Sequence, residues 1–326
     1  MSLRIIKQGV FDTVQDAGRF GHQHLGINPG GVMDRFSAQV ANALLGKDVN
    51  SPVIELHFPA SQIHFKTQVL ICLSGAQFCP TVNGKEIPMH HPVALNKNTI
   101  LKFEKMQNGA RCYLAFWQDL ALTEWMNSHS TNVKAGGGGW QGRALVKNDL
   151  LYFRKELALD SLLKKKDFFV LPWKSQEVVD TRNEIQFLLG SEWHWMNKEA
   201  QETFQNSWFQ VTIDADRMGY KLAGPELEQS TDEQLVSSAV SFGTVQLLPN
   251  GQLIILMADR QTTGGYPRIA HVISAHLPIL AQKKANDVIR FQMTDLETAE
   301  AKMIVQQKYL LQLQMAGKFR MEEYIR

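Results

Sequence analysis

Cysteine is nearly absent from this sequence. Only Cys72, Cys79 and Cys112 occur, an odd number without a C-x-x-C pair, which excludes a disulfide framework and the familiar zinc and redox spacings. They lie in apolar, strand-like runs and read as reduced core residues. A surplus of one charge sign is also missing: 34 Lys and Arg stand against 32 Asp and Glu, so no strong field draws in nucleic acid or an anionic membrane. No apolar run approaches the ~18 residues of a membrane span, and Met1 to Lys7 lacks the apolar core of a signal peptide. The expectation is a cytoplasmic, soluble protein with neither nucleic acid nor membrane as partner.

Three catalytic signatures are missing too. No G-x-x-x-x-G-K-[ST] string occurs, so ATP, if used, is not held by a Walker loop. No Gly-x-Ser-x-Gly elbow occurs, which disfavours a serine nucleophile. His22 and His24 would share one face of a strand and His90-His91 are adjacent, but no third ligand stands at a recognisable spacing, so no metal site is expected.

What is present reads as β structure. The chain has 326 residues and 44% hydrophobic content, enough for two packed cores. The runs Val69 to Leu73, Tyr113 to Trp117, Trp208 to Ile213, Val245 to Leu248 and Leu253 to Met257 are short, β-branched or aromatic, and bounded by turn residues. Asn83-Gly84 and Asn250-Gly251 sit between such runs and predict type I′ hairpins. A turn-then-strand phrase recurs at Asn98-Thr99-Ile100-Leu101-Lys102-Phe103, Asn148-Asp149-Leu150-Leu151-Tyr152-Phe153 and Asn286-Asp287-Val288-Ile289-Arg290-Phe291, which suggests duplicated β modules. The run Gly136 to Gly139 is the most flexible composition in the chain, and a boundary beside it gives two domains, 1–135 and 136–326.

Helices are few. Asp34 precedes Arg35 to Leu45, where Phe36, Val40 and Leu44 share a face and Gly46 supplies the stop. Thr294-Asp295-Leu296-Glu297 has capping-box spacing ahead of a C-terminal helix in which Ala299, Met303 and Leu310 fall at helical spacing.

The densest chemistry lies in Ala258-Asp259-Arg260-Gln261-Thr262-Thr263-Gly264-Gly265-Tyr266-Pro267, where acid, base, amide, hydroxyls and phenol follow a buried apolar strand. A guanidinium at Arg260 suits a carboxylate or phosphate, and successive N–H groups at Gly264 and Gly265 can cradle a polarised carbonyl. The bland alternative is that Asp259 and Arg260 pair locally while the glycines only turn the chain. A second cluster runs from Phe11 to Gly21 and continues in Asn28-Pro29-Gly30-Gly31-Val32-Met33-Asp34. Asp34 suits a general base, but a helix N-cap explains it equally well, and Asp12, Asp16 and Arg19 suit a structural network. A third cluster, Asp216-Arg217-Met218-Gly219-Tyr220, offers a second guanidinium and a phenol at a strand end. His271, just past the polar loop, is the acid/base candidate among the histidines.

Three phrases, FDTVQDAGRFGHQHLGINPGGVMD (11 to 34), DRMGYKLAGP (216 to 225) and ADRQTTGGYPRIAHVISAHLPILAQ (258 to 282), together resemble the biotin-dependent carboxyltransferase-like family, in order along nearly the whole chain. That family includes a subunit of bacterial 5-oxoprolinase, an antagonist of a sporulation-kinase inhibitor, and one half of the urea carboxylase carboxyltransferase domain. The resemblance implies a mainly β fold of two cyclophilin-like β-barrel subdomains with a few short helices and a C-terminal helix. It implies an ATP-dependent lactam hydrolase subunit that opens 5-oxo-L-proline to L-glutamate beside an A-type partner and a B-like chain of related fold. A regulatory antagonist, or a carboxyltransferase half acting on urea or a related amide with carboxybiotin, is the alternative. ATP would be used by the complex. Ala301-Lys302-Met303 only approximates a Met-Lys-Met motif, so this chain should carry no covalent biotin. The candidate catalytic group is Arg260, Gln261, Asp34 and His271, of which the resemblance implies Arg260, Gln261 and Asp34. Asp259, Thr262, Thr263, Gly264, Gly265, Tyr266, Arg217 and Tyr220 would bind substrate.

Overall fold

A computed structural model describes residues 1–176, 179–231 and 233–325. The predominance of short β-branched runs is realised directly. Val69–Gln77, Asn108–Phe116, Trp208–Val211, Thr244–Leu247 and Leu253–Leu256 are all strands.

The chain divides into two compact units, one of Met1–Gly18, Asp34–Val179 and Gln307–Arg326, the other of Arg19–Met33 and Asp180–Gln306. The break differs from the one expected after Ala135. Residues 136–179 stay with the first unit because Leu150–Tyr152 pairs with Ser2–Lys7, and Phe168–Val170 pairs with Pro92–Leu95. The glycine run is therefore internal to that unit. Its glycines are needed for close packing: a Cβ at Gly142 would lie 2.1 Å from the Gly136 carbonyl, and one at Gly137 would lie 3.0 Å from the Trp125 ring.

In the first unit two six-stranded sheets enclose one core, with Leu3, Phe65, Leu73, Leu101, Leu114 and Phe116 among its buried side chains. In the second unit a seven-stranded sheet closes into a barrel. Its strands run in the order Glu184–Leu189, Arg268–Val272, Thr244–Leu247, Leu253–Leu256, Gly219–Ala223, Trp208–Val211 and Val288–Met293. Closure comes from the parallel pairing of the first and last of these. The barrel is filled by Phe187, Phe209, Phe291 and Ile255 together with Phe204 from a helix, and Phe204 stacks on Phe291 with ring centroids 4.4 Å apart.

The repeated asparagine phrase has a backbone cause. Asn98, Asn148 and Asn286 are all left-handed, with φ of 63°, 78° and 73°. Each N–H donates to a neighbouring carbonyl, that of Phe65, Ile5 and Val211 respectively. Asparagine tolerates this conformation better than other residues bearing a side chain. Two of the three copies lie in the first unit, so the phrase marks a strand entry and not one module each. Asn83-Gly84 has the positive φ at both positions that a type I′ hairpin needs. At the second pair only Gly251 is left-handed, and Gly251 N–H donates to Leu248 across Pro249 and Asn250. That hairpin forms with proline in the turn's second position instead of a I′ turn.

Five α-helices occur among the described residues: α1 (Arg35–Leu44), α2 (Asp160–Leu163), α3 (Lys198–Asn206), α4 (Leu277–Ala281) and α5 (Leu296–Tyr324). Asp34 caps α1 by accepting from Ser37 N–H at 2.9 Å, and Gly46 follows its end with φ of 66°. At the start of α5 the cap is Asp295, which accepts from Thr298 N–H at 2.7 Å, one residue later than the capping box predicted at Thr294. His22 and His24 flank and join a short 3₁₀ turn, Gln23–Leu25, and not a strand. Lys302 lies within α5 and donates to Gln186 Oε1 at 2.5 Å. No helix among the described residues is long and apolar enough to cross a membrane.

Candidate functional site

The polar loop begins where two barrel strands run out together. Gly219 faces Leu256 in the antiparallel ladder, and the pairing continues past the strand ends: Met257 N–H donates to Met218 and Asp259 N–H to Arg217. That register sets Arg217 opposite Asp259. The two side chains meet as a fork, Nε to Oδ2 at 2.8 Å and Nη2 to Oδ1 at 3.0 Å, the geometry in which arginine and carboxylate bind most specifically. Asp259 therefore pairs with Arg217, not with its neighbour Arg260 as the bland reading held.

The same pair captures the glycine turn of the second polar cluster. Arg217 Nη2 also donates to Gly31 O at 2.6 Å, and Asn28 Nδ2 donates to Asp259 O at 2.8 Å. Gly30 and Gly31 both have positive φ. A Cβ at Gly30 would sit 3.3 Å from the buried Arg19 guanidinium and 3.5 Å from Asp259 Oδ1. Two guanidinium groups, one carboxylate and one amide thus crowd this end of the barrel. Asn28 and Arg19 were not singled out as site residues, although their adjacency to the Pro29-Gly30-Gly31 turn was a usable signal.

Beyond Asp259 the loop is braced from a second side. Arg260 is only 7% exposed, and its Nε donates to Val240 O at 3.3 Å. Ser238–Ala239 and Thr263–Gly264 form a two-stranded ribbon, extended by Val240 N–H donating to Thr262 O. Arg268 reinforces the same ribbon through Ala239 O, while its guanidinium forks onto Glu192 at 2.7 and 2.9 Å. That contact holds the Glu192 carboxyl below its ordinary range, mainly through the Arg268 hydrogen bonds. Underneath lies Gln246, buried on its strand, whose Nε2 donates to Tyr266 O at 3.4 Å. Gly264 is required here by proximity: a Cβ would fall 2.6 Å from Gln246 Nε2 and 3.2 Å from Gln261 Nε2. Gln246 lay outside the sequence reading because nothing local distinguishes it from a strand residue.

The loop is thus held rigidly while Gln261, Thr263, Gly265 and Tyr266 stay exposed and Thr262 half-exposed. Tyr266, Gly265 and Pro267 also line one side of a cavity of about 850 Å³ shared with Glu226, Glu228 and Asn250.

The remaining candidates fall elsewhere. Tyr220 is buried in the barrel core, its hydroxyl donating to Lys283 O at 3.3 Å, because its strand position points inward. His271 sits on the strand Arg268–Val272 with Nδ1 3.3 Å from Thr244 Oγ1. Burial, and secondarily the Arg268 charge, lower its pKa, so the ring is neutral near pH 7. Asp34 belongs to the first unit. Besides Ser37 N–H it accepts from Ser37 Oγ at 2.5 Å, and its own N–H donates to Tyr113 Oη, which donates to Glu55. Asp16 accepts from Gly18 N–H, Ser128 Oγ, Ser130 Oγ and His129 N–H, and so ties two loops of the first unit. Among the described residues no group of three or more His, Cys, Asp or Glu is placed to hold a metal ion.

Comparison with known proteins supplies the frame for this geometry. The profile of the family described as "Carboxyltransferase domain, subdomain A and B" matches residues 25–293. The C subunit of 5-oxoprolinase from Escherichia coli K12 is 35% identical over 311 residues, covering 95% of this chain and 97% of that protein. The C subunit of 5-oxoprolinase from Haemophilus influenzae is 34% identical, covering 88% of this chain and 89% of its own. The crystal structure of the K. lactis urea amidolyase superposes with a TM-score of 0.87 at 25% identity, over 96% of this chain and 20% of that much longer one.

Proposed function

This chain belongs to the carboxyltransferase-domain family with subdomains A and B, and from that premise we propose that it is a subunit of an ATP-dependent 5-oxoprolinase. Together with an A-type partner and a B-like partner of related fold it opens the lactam of 5-oxo-L-proline to L-glutamate. The observation that carries this reading is the end-to-end match, at 35% identity, to the C subunit of a 5-oxoprolinase.

The chemistry asks for three things: a hold on the substrate carboxylate, donors for the lactam oxygen as it gains charge, and a group to manage protons while water adds across the C–N bond. ATP, used by the complex, supplies the driving force. Arg260 is the charge that draws the carboxylate, held at the base of the loop by Val240 O. Gln261, Thr262 and Thr263 offer an amide and two hydroxyls along the exposed edge, and Tyr266 flanks them. Of the two glycines, Gly265 is the better-placed oxyanion donor. Antiparallel pairs alternate between bonded and non-bonded, so a bonded Val240–Thr262 pair assigns the Gly264 N–H to Ser238 within the ribbon. Asp259 and Arg217 act by positioning, since each is committed to the other. His271, neutral near pH 7, suits a proton acceptor, while Asp34 has a sufficient role as the cap of α1.

The test is ATP-dependent formation of glutamate from 5-oxoproline, measured for this chain alone and reconstituted with its two candidate partners. Activity should require the full mixture. Arg260→Ala should lower turnover by roughly 100-fold, the usual loss for a well-placed charged or donor group, with assembly preserved. Near-normal turnover in that variant removes Arg260 from the site, and stable assembly without any turnover removes the lactamase reading.

A second reading has its own support in the similarity to urea amidolyase along 96% of this chain. In it the same loop holds urea or a related amide while carboxybiotin arrives on another chain. Consumption of carboxybiotin dependent on urea, in the same reconstituted mixture, would favour it.

A further inference from the structure

The family profile ends at residue 293, just ahead of α5, which at 29 residues is the longest helix among those described. An α-helix advances 100° per residue, so the burial of its second half can be read face by face. Leu310, Gly317 and Met321 are buried. Gly317 is obligatory there, since a Cβ would lie 2.2 Å from the Ala43 carbonyl of α1. Tyr309 meets Phe36, Tyr324 meets Trp173, and Gln314 Nε2 donates to Lys47 O at 2.6 Å. This is an ordinary inner face.

The opposite face should then be polar, and it is not. Leu311, Met315 and Phe319 recur every fourth residue and are 56%, 65% and 63% exposed. An i, i+4, i+8 ridge of large apolar side chains on the solvent side of a helix is the pattern that packs ridges into the grooves of another helix, and a contiguous patch of this kind marks an interaction site.

The charges flanking the ridge identify the occupant. Lys308 stands seven residues before Met315 and Glu322 seven after, both exposed on the same side. The ridge is therefore apolar on both sides of Met315 and opposite in charge about it. We infer that this face binds the same face of a second copy of this chain, antiparallel, with a two-fold axis through Met315. In that arrangement Met315 meets Met315, Leu311 meets Phe319 in both directions, and Lys308 meets Glu322 twice. A parallel pair would instead set Lys308 against Lys308 and Glu322 against Glu322. The contact is isologous and closes on itself, as two-fold interfaces do. It lies outside the loop described above and does not depend on the reaction assigned to it.

Sedimentation or light scattering of the full chain over a concentration series tests the inference. A concentration-dependent dimer is expected. Met315→Glu sets two carboxylates on the axis and should raise the dimer dissociation constant at least ~100-fold, the scale of a central interface residue. Lys308→Glu or Glu322→Lys alone should weaken the dimer roughly 10-fold at low salt, by turning two attractions into repulsions. The double exchange should restore wild-type affinity. All of these side chains are exposed, so circular dichroism should be unchanged. A chain that stays monomeric throughout, or a dimer indifferent to every variant, overturns the inference. So does a monomer whose Met315→Glu variant loses only its capture of the other subunits, which would assign the ridge to a different chain.

Discussion

Two glycine-bearing loops, 136–142 in the first unit and 259–267 in the second, look alike as letters and differ in what their glycines are for. In the first, Gly136, Gly138, Gly139 and Gly142 all have positive φ, and the loop folds onto itself: a Cβ at Gly142 would lie 2.1 Å from the Gly136 carbonyl. In the second, neither Gly264 nor Gly265 is left-handed. Gly264 is bare because the amides of Gln246 and Gln261 approach it, and the nearest atom to a Cβ on Gly265 is 3.3 Å away. The first loop spends its glycines on its own packing; in the second, Gly264 makes room for two side-chain amides while Gly265 lies exposed. Composition alone suggests a linker for the first; packing makes it a fixed part of the first unit.

The largest expected effect breaks the first loop. Gly142→Ala places a methyl group 2.1 Å from backbone that cannot yield, at a φ of +65°, and should destabilise the first unit by about 3 kcal/mol or more. Urea denaturation checks this, and a loss under 1 kcal/mol would mean the loop is as free as its composition suggests.

Next in size is the brace of the second loop. Arg217→Ala leaves the Asp259 carboxylate without its fork and should cost about 3 kcal/mol, with Arg217→Lys recovering only a part because an ammonium cannot bind both oxygens. Denaturation midpoints of the two variants decide it. Equal stability of Lys and Arg at this position would show that charge, and not the fork, does the holding.

The smallest effects on stability sharpen the contrast between the two adjacent glycines. Gly264→Ala must displace Gln246 and should lose roughly 1 kcal/mol of stability. Gly265→Ala asks only a slight shift of the Leu235 carbonyl, 3.3 Å from the added methyl, and should lose less than about 0.5 kcal/mol, so that any fall in turnover reports the exposed edge itself. Paired denaturation and turnover measurements on both variants settle the order, and equal stability losses would remove the distinction drawn here.

Several elements were legible before any tertiary contact was known. The strands Leu253–Leu256 and Val69–Gln77, the helix behind Asp34 and the Asn83-Gly84 hairpin follow from periodicity, capping and turn chemistry, which act over a few residues. The polar loop stood out because acid, base, amide and hydroxyls rarely crowd one turn. Other expectations missed for equally physical reasons. Tyr220 stands three residues from Arg217, yet it lies on the strand Gly219–Ala223 and is buried in the barrel, whereas Arg217 precedes that strand and turns to Asp259. His22 and His24 have the spacing of one strand face, but Gly21 and Gly26, both at positive φ, close the segment into a turn.

By itself the sequence determined the mainly β character, the near-neutral charge, the reduced cysteines and the location of the chemically dense loop, since each depends on composition or on neighbours along the chain. Only the tertiary structure decided that Asp259 belongs to Arg217, 42 positions away, that Gly30 and Asn28 complete that cluster, that Gln246 underlies Gly264, and that the outer ridge of α5 is left exposed. Those pairings arise from strand register and barrel closure, which bring together residues that no local pattern couples.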